Sequence, residues 1–234
     1  MKLDFQTSTF IIGFLIAQFF LTETAYAQND QIRVRLETKI SSFHFEATGA
    51  SFYGKEKIAI PVAIPKKNNI TIRREKVGKG IVWVVKKHSS NQEEIFTENF
   101  LAIKSFTPRK GSKLYPEQLL FSAKDKSLSF DVIGVLPVEN YLVGVLASEM
   151  PLAWPVEALK AQAIAARSYA QAVMLERKDR DYHVESSILD QVFTHISQEM
   201  DQSPLIEKAK TAVLETKGLV LTSPRGHVLK AFYH

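Results

Sequence analysis

The 234-residue chain contains no cysteine. That absence excludes disulfides, zinc–thiolate sites, iron–sulfur clusters, a lipid anchor on cysteine and a cysteine nucleophile. No dense block of Lys and Arg with interleaved aromatics is present, so a nucleic-acid partner is not expected. There is no internal repeat. The apolar run from Phe10 to Leu21 is too short to be a comfortable transmembrane helix, which needs ~20 residues. Whatever chemistry the protein performs must come from carboxylates, hydroxyls, histidines, lysines or arginines.

What is present first speaks to compartment and order. With 45% hydrophobic and 10% aromatic residues, the chain can fill a core and is not a disordered polymer. Lys2, the apolar run and then Ala25-Tyr26-Ala27 have the layout of a secretory signal peptide cut after Ala27. The expectation is an exported protein of the periplasm or cell wall, with no stable membrane anchor after cleavage. The whole chain has 30 basic against 25 acidic residues. Removing 1–27 takes away Lys2, Asp4 and Glu23, which leaves the remainder more basic. Such a surface can face anionic envelope polymers, anionic lipids or nucleic acid, and charge alone selects none of them.

The remainder reads in two halves, an α+β chain with a β-rich region over 28–112 and a second domain over 113–234. Short alternating runs such as Ile32-Arg33-Val34-Arg35-Leu36, Phe43-His44-Phe45, Ile70-Thr71-Ile72 and Ile81 to Val85 predict strands, separated by Gly and Asn turns. Asn91 to Phe100 fits a short helix or an edge strand. Phe106 to Tyr115 (FTPRKGSKLY) reads as a loop and marks the boundary. His44 and His88 stand alone and read as structural. Beyond Pro137 the period becomes helical. Val138 to Met150 starts after a proline and stops at Pro151, and a second, alanine-rich helix runs from about Pro155 to Arg177. Ser203-Pro204 opens a third helix that closes at Gly218, and Leu219 to His234 reads as a β-hairpin.

Leu142, Val145, Leu146 and Glu149 share one face of the first helix at i, i+3, i+4 and i+7. A carboxylate in a slot that periodicity gives to the core would be desolvated and would hold its proton more tightly, as a general acid must. The alternative is that Glu149, next to the helix end, swings out to solvent. Glu139 reads as favourable charge at the helix start.

The stretch LPVENYLVGVLASEMPLAWPVEALKAQAIAARSYA, Leu136 to Ala170, closely resembles the SpoIID/LytB family, the stage II sporulation protein D group. The likeness extends to Leu128 to Val132, Leu189 to Phe193, Lys217 to Leu221 and Ala231 to His234. It implies an exported protein acting on peptidoglycan, either a lytic transglycosylase or an amidase enhancer. It also implies that Glu149, in the Glu-Met-Pro segment, is the catalytic acid. Protonated Glu149 would donate to the oxygen between N-acetylmuramic acid and N-acetylglucosamine. Its carboxylate would then take the proton from the 6-hydroxyl that closes on C1, so no second carboxylate is needed, unlike hydrolytic glycosidases.

The same likeness offers Arg167, Tyr169, Asp190 and Gln191 as substrate-binding residues: Arg167 to hold Glu149 or a sugar carboxyl, with a solvated or purely structural arginine as the alternative, Asp190 as the nearest partner acid or else a turn or cap residue, and Gln191 to hydrogen-bond sugar. The expected partners are glycan strands and, on the alternative reading of a non-catalytic wall-binding module or amidase activator, an N-acetylmuramoyl-L-alanine amidase. Some members carry metal-binding cysteines in this region; none is available here, and His183 and His195 lack a third ligand at metal-binding spacing, so neither a metal nor another cofactor is expected. Family members usually continue beyond the segment at Ala231 to His234, so the domain is expected to be shortened at its C-terminus.

Overall fold

The computed structural model describes residues 31–53, 59–60, 67–97, 100–124, 126–196 and 198–232. The expected signal peptide and the last two residues of the expected hairpin lie outside them. Among the described residues there are eleven strands: β1 (Gln31–Ile40), β2 (Ser42–Tyr53), β3 (Ala59–Ile60), β4 (Asn68–Val77), β5 (Gly80–Lys87), β6 (Gln92–Phe96), β7 (Phe100–Lys110), β8 (Lys113–Leu114), β9 (Gln118–Ser122), β10 (Phe130–Pro137) and β11 (Val184–Glu185). They form one sheet in the order β11-β1-β10-β9-β7-β2-β4-β5-β6, with β3 beside β2 and β8 beside β7. Every pairing is antiparallel except the short parallel one of β1 with β11.

Period-two alternation explains the β-rich half. Phe43, Phe45 and Ala47 of β2, Ile70 and Ile72 of β4, and Trp83 and Val85 of β5 point into one buried cluster. Aromatic rings lock it: Trp83 meets Phe130 with centroids 5.1 Å apart, edge to face, and Phe43 meets Tyr115 at 5.2 Å. A second cluster joins Ile32 and Val34 of β1 and Leu136 of β10 to the helices. Leu36 packs against both clusters.

The segment from Phe106 to Tyr115 is not a loop. β7 continues to Lys110, turns at Gly111, and β8 follows, with the Tyr115 N–H donating to the Pro108 carbonyl at 2.9 Å. Pro108 and Gly111 carry the composition of a loop, but Gly111 supplies the positive φ of 62° that a tight turn needs. The ambiguous 91–100 stretch contains the edge strand β6.

β10 runs straight into α1 (Val138–Glu149), with Pro137 at the N-cap position. α2 spans Val156–Glu176, again behind a proline, Pro155; α3 is Gln198–Asp201, and α4 is Pro204–Glu215 with Ser203 at its N-cap. α4 packs on both α1 and α2. Fully buried Ala163, Ala166, Ala170, Ala209 and Ala212 line this helix cluster, where small side chains let backbones approach closely. Past α4, Gly218 has φ +77°. In place of a regular hairpin, the following segment makes a single antiparallel bridge, Thr222 to Val228, around the turn at Ser223 to Gly226.

One buried ion pair fastens the helices. Arg167 on α2 is fully buried; its Nε and Nη2 donate to Glu139 Oε1 and Oε2 at 3.0 and 2.6 Å. It also donates to the carbonyls of Val213 at 3.1 Å and Leu219 at 3.2 Å. Glu139 thus anchors α2 and the end of α4 to the first turn of α1, beyond its favourable place at the helix start. Removing one partner of such a pair leaves an uncompensated buried charge. Glu139→Gln is therefore expected to cost about 3 kcal/mol or more of stability, read from the urea midpoint. Glu157→Gln, whose carboxylate is exposed, is expected to leave the midpoint in place.

Candidate functional site

The stripe Leu142, Val145, Leu146 is buried as periodicity predicts, but Glu149 is exposed. The core position expected for it does not hold. From Val138 to Leu146 α1 lies in the core on nearly every side, whereas Ala147 and Ser148 are half-buried and the helix ends at Glu149. Pro151 forbids another turn that would carry the stripe onward. The last turn therefore emerges from the core, and Glu149 takes the solvent-side alternative.

The carboxylate is nonetheless not free to wander. Its Oε1 accepts the backbone N–H of Val192 at 2.6 Å, and it lines a groove of about 340 Å³ with Tyr169, Ile188, Leu189, Asp190, Val192, Ala231 and Phe232. Oε2 has no protein hydrogen bond among the described residues. Ile188, Leu189 and Phe232 are strongly exposed apolar side chains along the groove. Phe232 meets the Tyr169 ring edge-on at 5.7 Å.

The peptide that holds Glu149 is itself held on both flanks. Asp190 accepts Arg177 Nη1 and Nη2 at 2.7 and 3.0 Å, the Tyr169 hydroxyl at 2.7 Å and the Glu185 N–H at 2.8 Å. Burial alone would raise its carboxyl, but the Arg177, Glu185 and Tyr169 hydrogen bonds outweigh that and hold it below the usual carboxylate range. The Tyr169 hydroxyl is pushed up by burial and by its bond to Asp190. Next to it, Gln191 is buried: Tyr141 donates to its Oε1 at 2.8 Å and its Nε2 donates to the Ala166 carbonyl at 3.3 Å.

Of the five sequence candidates, Glu149, Tyr169 and Asp190 come together in one groove. Arg167 does not: its guanidinium is spent on Glu139 and two carbonyls, and the expected contact to Glu149 is not made. Gln191 faces the interior between α1 and α2 instead of the groove. Trp154, just ahead of α2, is about half exposed. Sequence reading missed Arg177, which closes on Asp190 from 13 residues away with no local signal, and the Val192 N–H, which no side-chain pattern can report.

The passage 182–195 is also clamped to the sheet. The His183 N–H donates to the Arg33 carbonyl at 2.8 Å, while the Arg33 N–H donates to His183 Nδ1 at 3.1 Å. Arg35 pairs with Asp131 and Glu185 and lies over the Tyr182 ring. On the helix side, Gly144 of α1 admits the chain at Phe193-Thr194: a Cβ there would stand 2.4 Å from the Thr194 carbonyl oxygen and 2.6 Å from Phe193 Cε2.

Residues 126–223 match the family model described as SpoIID, stage II sporulation protein. Stage II sporulation protein D of Bacillus amyloliquefaciens is 34% identical over 107 residues, 42% of this chain and 31% of that protein. The protein of the same name in Bacillus subtilis (strain 168) is 31% identical over 107 residues, again 42% of this chain and 31% of that one. An uncharacterized protein of Brachyspira hyodysenteriae is 34% identical over 95 residues, 39% of this chain and 26% of that one. The aligned stretch is thus under a third of the length of each relative.

Two outcomes follow from this geometry. Gly144→Ala must displace backbone as well as a ring, so it is expected to cost about 1–3 kcal/mol in denaturant unfolding. It is also expected to shift the Val192 amide resonance, because Val192 is two residues from Thr194. The second concerns acid. His183 is buried, and burial, with Arg33 and Arg177 adding to it, lowers its ring to about 4. The unfolded chain therefore binds the extra proton first, between the ordinary imidazole value of ~6.5 and about 4. Stability should fall as pH drops through that window, by up to roughly 3 kcal/mol, and Asp190 adds its own loss below the ordinary carboxylate range. Thermal melts at stepped pH should show this decline, flattened in the upper part of the window by His183→Gln.

Proposed function

We propose, from the match of residues 126–223 to the SpoIID family model and the likeness to stage II sporulation protein D, that the protein is an exported lytic transglycosylase of peptidoglycan. In this reading it cuts between N-acetylmuramic acid and N-acetylglucosamine with Glu149 as general acid/base. The observation that carries the reading is the setting of Glu149: one carboxylate oxygen is fixed by the Val192 N–H, and the other has no hydrogen bond among the described residues, in a groove of about 340 Å³.

Proton and electron bookkeeping needs one carboxyl group. The proton on Oε2 goes to the glycosidic oxygen as the bond to C1 breaks. The 6-hydroxyl of the muramoyl residue then attacks C1 and returns its proton to Glu149, giving a 1,6-anhydro ring and a free 4-hydroxyl on the other product. The carboxylate is restored. Asp190 has both oxygens engaged by Arg177, Tyr169 and the Glu185 N–H, so in this scheme it positions the Val192 peptide and takes no proton. Exposed Ile188, Leu189 and Phe232 offer apolar faces for sugar rings along the groove.

The exposure of Glu149 also favours a second reading, a wall-binding module or activator of an N-acetylmuramoyl-L-alanine amidase, which needs no desolvated acid. One assay separates them. Purified glycan strands, with and without stem peptides, are incubated with the protein and analysed by mass spectrometry. Anhydromuramoyl ends are expected, with Glu149→Gln reducing their rate by about 10²-fold or more, the usual size of a general-acid contribution. Strand binding without anhydro ends, or equal product from Glu149→Gln, would overturn the enzymatic reading.

A further inference from the structure

A second groove lies away from Glu149, in the β-rich half, and shares no residue with the first. It measures about 610 Å³ and is lined by side chains of β2, β4 and the β7–β8 hairpin together with Lys67 and His88. Strand alternation builds it. Phe43, Phe45, Ile70 and Ile72 go into the core, which sends His44, Glu46, Asn69 and Thr71 to the other face of the same strands.

Two features distinguish this face from an ordinary solvated one. First, its floor is pre-organised: the Thr71 hydroxyl, itself 5% exposed, lies 2.7 Å from His44 Nδ1 and 2.8 Å from His88 Nε2, so one buried hydroxyl fixes two exposed imidazoles. The His88 N–H in turn donates to the Asn69 carbonyl at 3.0 Å. Groups held on strands in this way are placed more firmly than groups on loops. Second, the charge is one-sided. Lys67, Arg109 and Lys110 line the groove against a single carboxylate, Glu46, which Lys67 meets at 3.0 Å. Arg109 donates its Nε to the Gly111 carbonyl at 3.3 Å, and no acid pairs with its terminal nitrogens among the described residues. Lys110 rests over the Phe43 ring at 5.5 Å.

We infer that this groove is a second binding site, which takes the phosphate or carboxylate groups of a flexible anionic polymer. Arg109 offers the planar fork that matches either anion, Lys110 and Lys67 add point charges, and His88 presents its second ring nitrogen from a fixed floor, while both nitrogens of His44 are engaged by Thr71 and Ser42. Nucleic acid is the less suitable polyanion, because the one phenyl ring that lines the groove, Phe45, is buried and offers no face on which bases stack.

The test is isothermal titration of the full chain with inorganic polyphosphate, polygalacturonate, neutral dextran and single-stranded DNA, each at low and high salt. One or both acidic polymers should bind, with affinity falling as salt rises, and dextran should not. Preference for polyphosphate identifies phosphate as the ligand group, and preference for polygalacturonate identifies carboxylate. The double variant Arg109→Gln/Lys110→Gln should weaken binding about tenfold or more, a difference of ~1.4 kcal/mol, with an unchanged melting temperature. Should that variant not fold, Lys110→Glu, a change at an exposed position, takes its place. The inference is overturned if neither acidic polymer binds, if dextran or DNA binds as well as they do, or if the variants bind like the parent. Glu149→Gln should leave this binding intact, so its outcome is independent of the glycan-cleavage assay.

Discussion

The structure around Glu149 depends on a three-residue peptide, Asp190-Gln191-Val192, being keyed into the helix pair. Each residue does a different part. Asp190 is locked by Arg177 and Tyr169 at the groove side of α2. Gln191 inserts its amide between α1 and α2, bonded to Tyr141 and to the Ala166 carbonyl. Val192 then has its N–H aimed at Glu149. A buried amide left unbonded costs more than its hydrogen bonds contribute net, so Gln191 admits essentially one placement. That placement fixes where the neighbouring N–H points.

The sheet supplies the rigid frame for this arrangement. β1 pairs with β10 over Gln31 to Ile40, and β10 delivers α1 directly, so the start of the described chain and the site helix are separated by one strand register. β11 adds to the other edge of β1 and carries the 182–195 passage with it. The paired His183–Arg33 hydrogen bonds, one to the Arg33 carbonyl and one to the His183 ring, and the Arg35 cluster close that edge. The groove is thus lined by Ile188, Leu189, Asp190 and Val192 of this passage together with Glu149, Tyr169, Ala231 and Phe232, and the passage is tied to the sheet at Val184 and to the helices at Gln191.

Helix limits were legible because they are set by local chemistry. Pro137, Pro151, Pro155 and the Ser203-Pro204 pair act within one turn of themselves, and α1, α2 and α4 begin where those residues put them. The strands of the β-rich half were legible from alternation for the same reason. What was not legible was set at a distance. The exposure of Glu149 depends on where α1 leaves the core, which periodicity cannot report since it describes a face and not a depth. Arg167 sits in a motif beside Tyr169, yet its partner is Glu139, 28 residues earlier, and not Glu149. His44 and His88 looked isolated because the residue joining them, Thr71, belongs to the strand between them.

In the proposed transglycosylase reading, the exposure of Glu149 changes where the energetic demand of acid catalysis falls. A carboxyl buried in the free protein would be tuned before substrate arrives. A carboxyl at the rim of an apolar-edged groove is desolvated only when a sugar covers it, so substrate burial would itself supply the low-dielectric setting. The Val192 N–H matters more in that reading, because it fixes one oxygen while water is being expelled and leaves the other for the proposed proton transfer. Ile188, Leu189 and Phe232, exposed in the free chain, are then the surfaces whose burial against a sugar would offset the cost of drying the acid. On this account the residues that make Glu149 an acid are the apolar edge of the groove, and the polar network behind it serves to aim the carboxyl group.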